Sequence, residues 1–237
     1  MPRLTAIGFD GDDTLWQSET QFHVTLAQVR ALLADEVDPA VLDARLLEVE
    51  RANLELYGYG AKAFTLSTIE TAIDLAGDRL AIADITALLE AGKQLLAHPI
   101  ELLPGAKEAV VTAKELELVV LLVTKGDLFH QESKVARSGF GDLVDHVEVV
   151  AEKDTAAYAR LLARHGIDTA GFVMVGNSLR SDCEPVLALG ARAVFIPHQL
   201  TWALEHPDDE DAVRATPGLT ELASLVDLVP WLHDQAR

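Results

Sequence analysis

The sequence predicts an α/β protein in which a doubly wound parallel sheet carries an inserted all-helical domain. Over residues 100–237, short runs rich in β-branched residues alternate with helical segments, which is typical of βαβ units with parallel strands. Residues 17–99 instead show helical periodicity with few β-branched clusters. We therefore predict a Rossmann-like core formed by residues 1–16 and 100–237, with a helical cap domain formed by residues 17–99.

The predicted elements follow from these patterns in chain order. The strands are Leu4–Phe9, Leu118–Val123, Val147–Val150, Phe172–Val175 and Ala193–Ile196. The core helices are Lys107–Leu116, Phe129–Ser138, Thr155–His165 and Arg180–Leu189. Helix breaks within the insertion are expected at Asp38-Pro39, at residues 57–60 ("YGYG") and at Gly77-Asp78, because glycine and proline interrupt helices.

Composition narrows the class of protein and its partners. The chain has 237 residues, 49% of them hydrophobic, which is typical of a globular protein. Its 38 acidic and 19 basic residues give a net charge of −19, which disfavours nucleic acid and anionic membranes as partners. The longest apolar run is too short to cross a bilayer, and the N-terminal residues show no signal-peptide pattern. The single cysteine, Cys183, excludes an internal disulfide. We expect a cytoplasmic protein, and the sequence does not indicate its oligomeric state.

Polar side chains follow four of the predicted strands at the points where the strands end. They are Asp10 and Asp12, then Thr124, then Lys153, then Asn177, Ser178 and Asp182. Because ligands bind beyond the carboxyl ends of parallel strands in such sheets, we expect these groups to converge at one edge. Carboxylate and amide oxygens beside one lysine suit Mg²⁺ next to a phosphate.

Four short motifs, in this order, make the chain resemble the haloacid dehalogenase superfamily, most of whose members are phosphohydrolases. They are "FDGDDTL" (9–15), "LLVTKG" (121–126), "EKD" (152–154) and "VGNSLRSD" (175–182). The helical insertion resembles the all-helical (C1-type) cap of that family. Two departures are visible: Asn177 stands where the fourth motif usually has an acid, and Lys125 where many relatives have asparagine.

The resemblance assigns catalytic roles to the two first-motif acids. It implies that Asp10 is the nucleophile and that Asp12 protonates the leaving alcohol and later deprotonates water. Neighbouring carboxylates are expected to favour a proton on Asp12. Asp10, the Asp12 backbone carbonyl, Asn177 and Asp182 are the implied Mg²⁺ ligands, and Asn177 is expected to weaken metal binding because an amide lacks the charge of a carboxylate.

The resemblance also implies a phosphate-binding set and leaves several roles open. The set comprises Gly11, Thr124, Lys125 and Lys153. Lys125 or Lys134 could supply the positive charge in place of Lys153. Asp13 and Thr14 are expected to hold the turn or cap a helix. In the insertion, Tyr59 and Lys62 either contact substrate or belong to a plain interhelical turn.

Together these expectations describe a Mg²⁺-dependent phosphohydrolase that cleaves a small phosphorylated metabolite, a phosphomonoester, through an aspartyl-phosphate. Within the family, true dehalogenases lack the second acid, so Asp12 favours phosphoryl transfer. Two alternatives stay open: a phosphotransferase or phosphomutase of the same fold, and a non-catalytic binding relative.

Overall fold

The computed structural model describes residues 2–235, which form two compact units. One unit comprises the described residues up to Glu19 together with those from Ile100 onward, and the other comprises Thr20–Pro99. The boundary thus follows Glu19, where the sequence predicts it after Trp16. Residues 1, 236 and 237 of the predicted core range lie outside the described part.

The first unit contains a six-stranded, fully parallel sheet. Its strands are β1 (Ala6–Phe9), β2 (Val119–Lys125), β3 (His146–Val150), β4 (Phe172–Gly176), β5 (Arg192–Phe195) and β6 (Leu219–Glu221). Their order is β3-β2-β1-β4-β5-β6, and every neighbouring pair is parallel. The strand order reverses between β1 and β4, which is the position where doubly wound sheets bind ligands.

Helices cover both faces of this sheet because alternate strand residues point to opposite sides. The helices of this unit are α5 (Ala106–Glu115), α6 (Leu128–Ser138), α7 (Thr155–Arg164), α8 (Glu184–Ala188), α9 (Glu210–Arg214) and α10 (Leu225–Gln235). On one face, Val110, Val135 and Leu228 from α5, α6 and α10 join the cluster that contains Ile7 and Val173. On the other, Leu161, Val186 and Val213 from α7, α8 and α9 join the cluster that contains Leu121 and Met174.

The predicted strands and most core helices are confirmed, with two differences. The sequence patterns do not reveal β6, α9 or α10. The single helix predicted over Arg180–Leu189 is a π-helical turn, Leu179–Cys183, followed by the short α8. Pro185 lies in the first turn of α8, where its missing N–H is tolerated.

The second unit is a helical bundle. Its helices are α1 (Glu19–Leu32, beginning one residue earlier in the first unit), α2 (Pro39–Tyr57), α3 (Ala61–Ala76) and α4 (Ile82–Ala97). Asp38 caps α2 by accepting hydrogen bonds from the N–H groups of Ala40 and Val41, and glycines follow α2 and α3, as the predicted breaks require. Within residues 2–235, no helix combines the length and hydropathy that a membrane span needs.

Candidate active site

The carboxyl edge of the sheet brings three buried charged side chains from three strands together. Asp10 follows β1, and its N–H donates to the Val175 carbonyl of β4 at 2.9 Å. Lys153, which follows β3, donates from Nζ to Asp10 Oδ1 at 2.5 Å and to Asp182 Oδ1 at 2.7 Å. The Lys153 and Asp182 side chains are 2% and 1% exposed. The site therefore joins residues more than a hundred positions apart in the sequence.

This trio has two carboxylates for one ammonium group. Burial raises the pKa of Asp10, and although Lys153 opposes that rise, Asp182 reinforces it. Burial by itself lowers the pKa of Lys153, but Asp10 and Asp182 outweigh it and hold that pKa well above its ordinary value. Lysine is thus the firmly charged member, and with both acids ionised the trio carries one uncompensated negative charge. A buried charge of this kind favours a cation nearby.

The donor types at this edge fit a hard, oxygen-ligated cation. Asp10 and Asp182, which both contact Lys153, supply two carboxylates. Asn177 supplies an amide, whose Oδ1 accepts a hydrogen bond from Thr14 Oγ at 3.2 Å. Within residues 2–235, no three carboxylate, imidazole or thiol side chains form a metal-binding group. The expected set does not need one, because it contains only two side-chain carboxylates and completes the shell with an amide and the Asp12 backbone carbonyl.

Asp12 has partners of its own, distinct from those of Asp10. Lys134 Nζ lies 2.6 Å from both carboxylate oxygens, Gln131 Nε2 donates to Oδ2 at 3.0 Å, and Trp16 Nε1 donates to Oδ1 at 2.6 Å. Burial would raise the pKa of Asp12, but Lys134 and these hydrogen bonds outweigh it and lower that pKa. The expectation that carboxylate neighbours hold a proton on Asp12 is therefore wrong for this arrangement, because the Lys134 ammonium group contacts the Asp12 carboxylate directly.

The three lysines that the sequence offers as the positive charge contact different acids. Lys153 contacts Asp10, and Lys134 contacts Asp12. Lys125, at the end of β2, contacts Glu205 at 2.5 Å instead. The cation beside the expected nucleophile is therefore Lys153.

Asp13 and Thr14 support the turn, as expected. Asp13 has a positive φ of 60°, and its carboxylate accepts hydrogen bonds from the N–H groups of Ser18 and Glu19 at the start of α1. Aspartate tolerates this left-handed conformation better than most residues. Thr14 ties the first motif to the fourth through its hydrogen bond to Asn177.

Comparison with known proteins identifies the family of this chain. The sequence model of the haloacid dehalogenase-like hydrolases matches residues 4–190. The chain belongs to this family. The family match covers β1 to β4 and all of the site residues described above except Glu205, which lies beyond it.

Individual relatives of this haloacid dehalogenase-like hydrolase include a phosphatase. A ribulose-1,5-bisphosphate 5-phosphatase from Halopiger xanaduensis is 31% identical over 187 residues, which cover 75% of this chain and 74% of the relative. A haloacid dehalogenase-like family hydrolase from Xanthomonas campestris is 40% identical, with a TM-score of 0.87 over 99% of this chain and 92% of that one. A 2-haloacid dehalogenase from Pseudomonas syringae shares the fold at 19% identity, with a TM-score of 0.63 over 99% and 100% of the two chains.

Thr124 and Gly11 of the expected site lie in the unit that contains the sheet, and Tyr59 and Lys62 lie in the helical unit. Thr124 is buried near the carboxyl end of β2, which pairs with β1. A Cβ atom at Gly11 would lie 2.6 Å from the Trp16 ring, so that position requires glycine. Tyr59 and Lys62 lie in the helical unit, in the turn before α3 and in its first turn. Their contact with substrate, and that of Thr124 with phosphate, stay predictions.

The sequence patterns do not single out two residues that contact the site of this hydrolase or its loops, Gln131 and Glu205, and they offer Lys134 only in place of Lys153. Gln131 and Lys134 lie three residues apart on α6, directly after the second motif, and this spacing could have placed both on one face toward Asp12. Glu205 gave no local signal, because it lies in an irregular segment after β5. Burial opposes its ionisation, but Lys125 and the hydroxyls of Ser181 and Ser178 lower its pKa.

Proposed function

We propose that this hydrolase is a Mg²⁺-dependent phosphatase that cleaves a small phosphomonoester through an aspartyl-phosphate on Asp10. The observation that carries the proposal is the presence of two acids at the end of β1 with separate cationic partners, Asp10 with Lys153 and Asp12 with Lys134. Two chemically distinct carboxylates allow one to attack while the other transfers a proton.

The second acid favours phosphate esters over haloacids. When a phosphate ester is cleaved, its alcohol part leaves as an alkoxide, which needs a proton. A halide leaves as a stable anion and needs none. A carboxylate two residues after the nucleophile is therefore useful at phosphorus and superfluous at a carbon–halogen bond. The relative named ribulose-1,5-bisphosphate 5-phosphatase supports this choice.

The proposed reaction has two steps at Asp10. In the first, an Asp10 oxygen bonds to phosphorus as the bond to the leaving oxygen breaks, and Asp12 gives that oxygen its proton. In the second, Asp12 takes a proton from water, water oxygen bonds to phosphorus, and the Asp10–phosphorus bond breaks. Asp12 must therefore acquire a proton before the first step, although Lys134 favours its ionised form.

Two groups offset the repulsion between Asp10 and an anionic substrate. Lys153 is already 2.5 Å from Asp10 and can also donate to a phosphoryl oxygen. Mg²⁺, held by Asp10, Asn177, Asp182 and the Asp12 carbonyl, would supply further positive charge beside the transferred group.

The test is hydrolysis of 4-nitrophenyl phosphate with and without Mg²⁺, followed by a panel of metabolite phosphates that includes ribulose-1,5-bisphosphate. We expect Mg²⁺-dependent release of phosphate, abolished by Asp10→Asn and retained in Asp35→Asn, which makes the same change at an exposed position. Full activity in Asp10→Asn would refute the nucleophile assignment.

Two further measurements separate the alternatives. Hydrolysis in ¹⁸O-labelled water should place the label in phosphate, whereas transfer of the phosphoryl group to a second sugar hydroxyl would identify a phosphotransferase or mutase. Halide release from 2-chloropropionate without phosphatase activity would identify a dehalogenase.

A further inference from the structure

A second ion pair, between the partly buried side chains of Lys125 and Glu205, lies beside the loops that carry the candidate site. Lys125 is the last residue of β2, and Glu205 closes a short 3-10 turn, Ala203–Glu205, between β5 and α9. Lys125 Nζ lies 2.5 Å from Glu205 Oε1, and the two side chains are 13% and 15% exposed. Holding both charges out of water at this distance has a desolvation cost that a surface pair does not carry.

The Lys125 ammonium contacts at least three protein acceptors. Besides Glu205, it contacts Glu152 Oε1 at 3.2 Å and Ser181 Oγ at 2.9 Å. Since an ammonium group has three N–H donors, these partners match its full donor capacity. To bind a phosphoryl oxygen, Lys125 would have to give up one of them.

Two partners of Lys125, Glu152 and Ser181, are directly connected to Lys153 and Asp182 of the candidate site. Glu152 Oε1 also accepts a hydrogen bond from the backbone N–H of Lys153 at 3.0 Å. Ser181 directly precedes Asp182 in the π-helical turn. One lysine at the end of β2 thus connects the loop after β3 with the loop after β4.

Glu205 fixes the loop after β4 from the opposite side. Its Oε2 accepts hydrogen bonds from Ser178 Oγ at 2.8 Å and from Ser181 Oγ at 2.6 Å. Ser178 in turn donates its backbone N–H to Asp182 Oδ2 at 3.0 Å. Two hydrogen bonds therefore separate the Glu205 carboxylate from the Asp182 carboxylate that contacts Lys153.

We propose that Lys125 and Glu205 are positioning residues, whose ion pair holds the loops after β3 and β4 so that Lys153 and Asp182 meet at Asp10. Glu205 compensates the positive charge of Lys125, so Lys125 contacts acids of the protein rather than the phosphate of the substrate. The proposal extends the proposed phosphatase function, on which its kinetic test rests.

The kinetic test compares Lys125→Met, Glu205→Gln, Glu205→Asp and the double variant Lys125→Met/Glu205→Gln. Either single change should lower kcat for 4-nitrophenyl phosphate by about tenfold or more, because small misplacements of reacting groups are costly. KM and the inhibition constant of inorganic phosphate should stay within about threefold, and Glu205→Asp should recover part of kcat. Lys93→Met and Glu90→Gln, at an exposed ion pair in α4, are the matched controls.

The double variant separates positioning from loss of fold. It leaves no unpaired buried charge between the two positions, so its thermal midpoint should lie above that of either single variant, while kcat should fall no further than in Lys125→Met. An inhibition constant for phosphate that rises at least tenfold in Lys125→Met and falls in Glu205→Gln would instead make Lys125 a phosphate ligand and overturn the proposal. Unchanged kcat in both single variants would overturn it as well.

A crystal structure of Glu205→Gln gives a readout that does not depend on activity. We expect Ser178 to Asp182 to shift and the contact between Lys153 Nζ and Asp182 Oδ1 to lengthen from 2.7 Å. If these atoms superpose on the wild-type positions, the proposal is wrong, whether or not the protein hydrolyses phosphate esters.

Discussion

Lys134 donates to both carboxylate oxygens of Asp12 at 2.6 Å, so the acid expected to transfer the proton is bound to an ammonium group of α6. Gln131, one turn earlier on α6, donates to the same carboxylate. The two first-motif acids are therefore held by different elements: Asp10 by the loop after β3 and Asp12 by the helix after β2. This separation allows their protonation to be altered independently.

Removing Lys134 should change the pH dependence of hydrolysis. Lys134 lowers the pKa of Asp12, so in Lys134→Met the acid should keep its proton to higher pH. For an alkyl phosphate, we expect the descending limb of kcat against pH to move upward by about one unit. For 4-nitrophenyl phosphate, whose leaving group needs no proton, the shift should be much smaller. Lys107→Met, at an exposed position, is the control, and equal shifts for both substrates would contradict the role of Asp12 as an acid.

Asn177→Asp should strengthen the binding of Mg²⁺. The substitution keeps the shape of the side chain and its acceptor for the Thr14 hydroxyl but adds a negative charge to the donor set. We expect the Mg²⁺ concentration for half-maximal activity to fall about five- to tenfold, since ligand charge tunes affinity for hard cations. Thermal stabilisation by Mg²⁺ should reach half its maximum at a correspondingly lower concentration. Gln94→Glu adds the same charge at an exposed position of α4 and should change neither value.

Gly176→Ala should displace Asp182. A Cβ atom at Gly176 would collide with the Asp182 carboxylate, although the backbone conformation there is open to any residue. We expect kcat/KM to fall by about a hundredfold and the free energy of unfolding in urea to fall by about 1–3 kcal/mol. Gly141→Ala is the matched control, because an added Cβ there has no neighbour within 4 Å. Wild-type activity in Gly176→Ala would show that the Asp182 position is not required.

Asp145 should contribute stability that depends on pH. It accepts hydrogen bonds from Lys114 Nζ at 2.6 Å and from the Val120 N–H at 2.8 Å. Burial alone would raise its pKa, but these two partners lower it below the ordinary value. A lowered pKa in the folded state means that the contribution is present above the pKa of the unfolded chain, about 3.9, and disappears as pH falls through the lower folded value.

Urea unfolding of Asp145→Asn tests that contribution. At pH 7 the variant should be less stable than the wild type by about 1 kcal/mol, a figure that allows for solvent screening of a partly exposed pair. The difference should shrink as pH falls below about 4. Asp142→Asn, at an exposed position nearby, should show little difference at either pH. A difference for Asp145→Asn that does not change with pH would contradict the assignment.

The strands β1 to β5, the helical insertion and the edge where the polar residues meet could be predicted from sequence patterns. These features are local: β-branched runs mark strands, glycine and proline mark breaks, and the residue after a parallel strand lies at its carboxyl edge. Asp10, Thr124, Lys153 and Asn177 could therefore be placed at one edge from chain position alone. The three-residue strand β6 and the five-residue helix α9 could not be predicted, because segments this short show no clear hydrophobic periodicity.

The pairing of acids with lysines depends on tertiary packing and could not be predicted from the sequence. Lys125, Lys134 and Lys153 have chemically identical side chains, yet they contact Glu205, Asp12 and Asp10, respectively. The pairing depends on where α6 and the segment after β5 pack against the sheet, and neither is fixed by a residue's own neighbours in the chain. Because the interaction of charges depends on distance and burial, the direction of the pKa shift of Asp12 also depends on packing, and it is opposite to what its carboxylate neighbours alone predict.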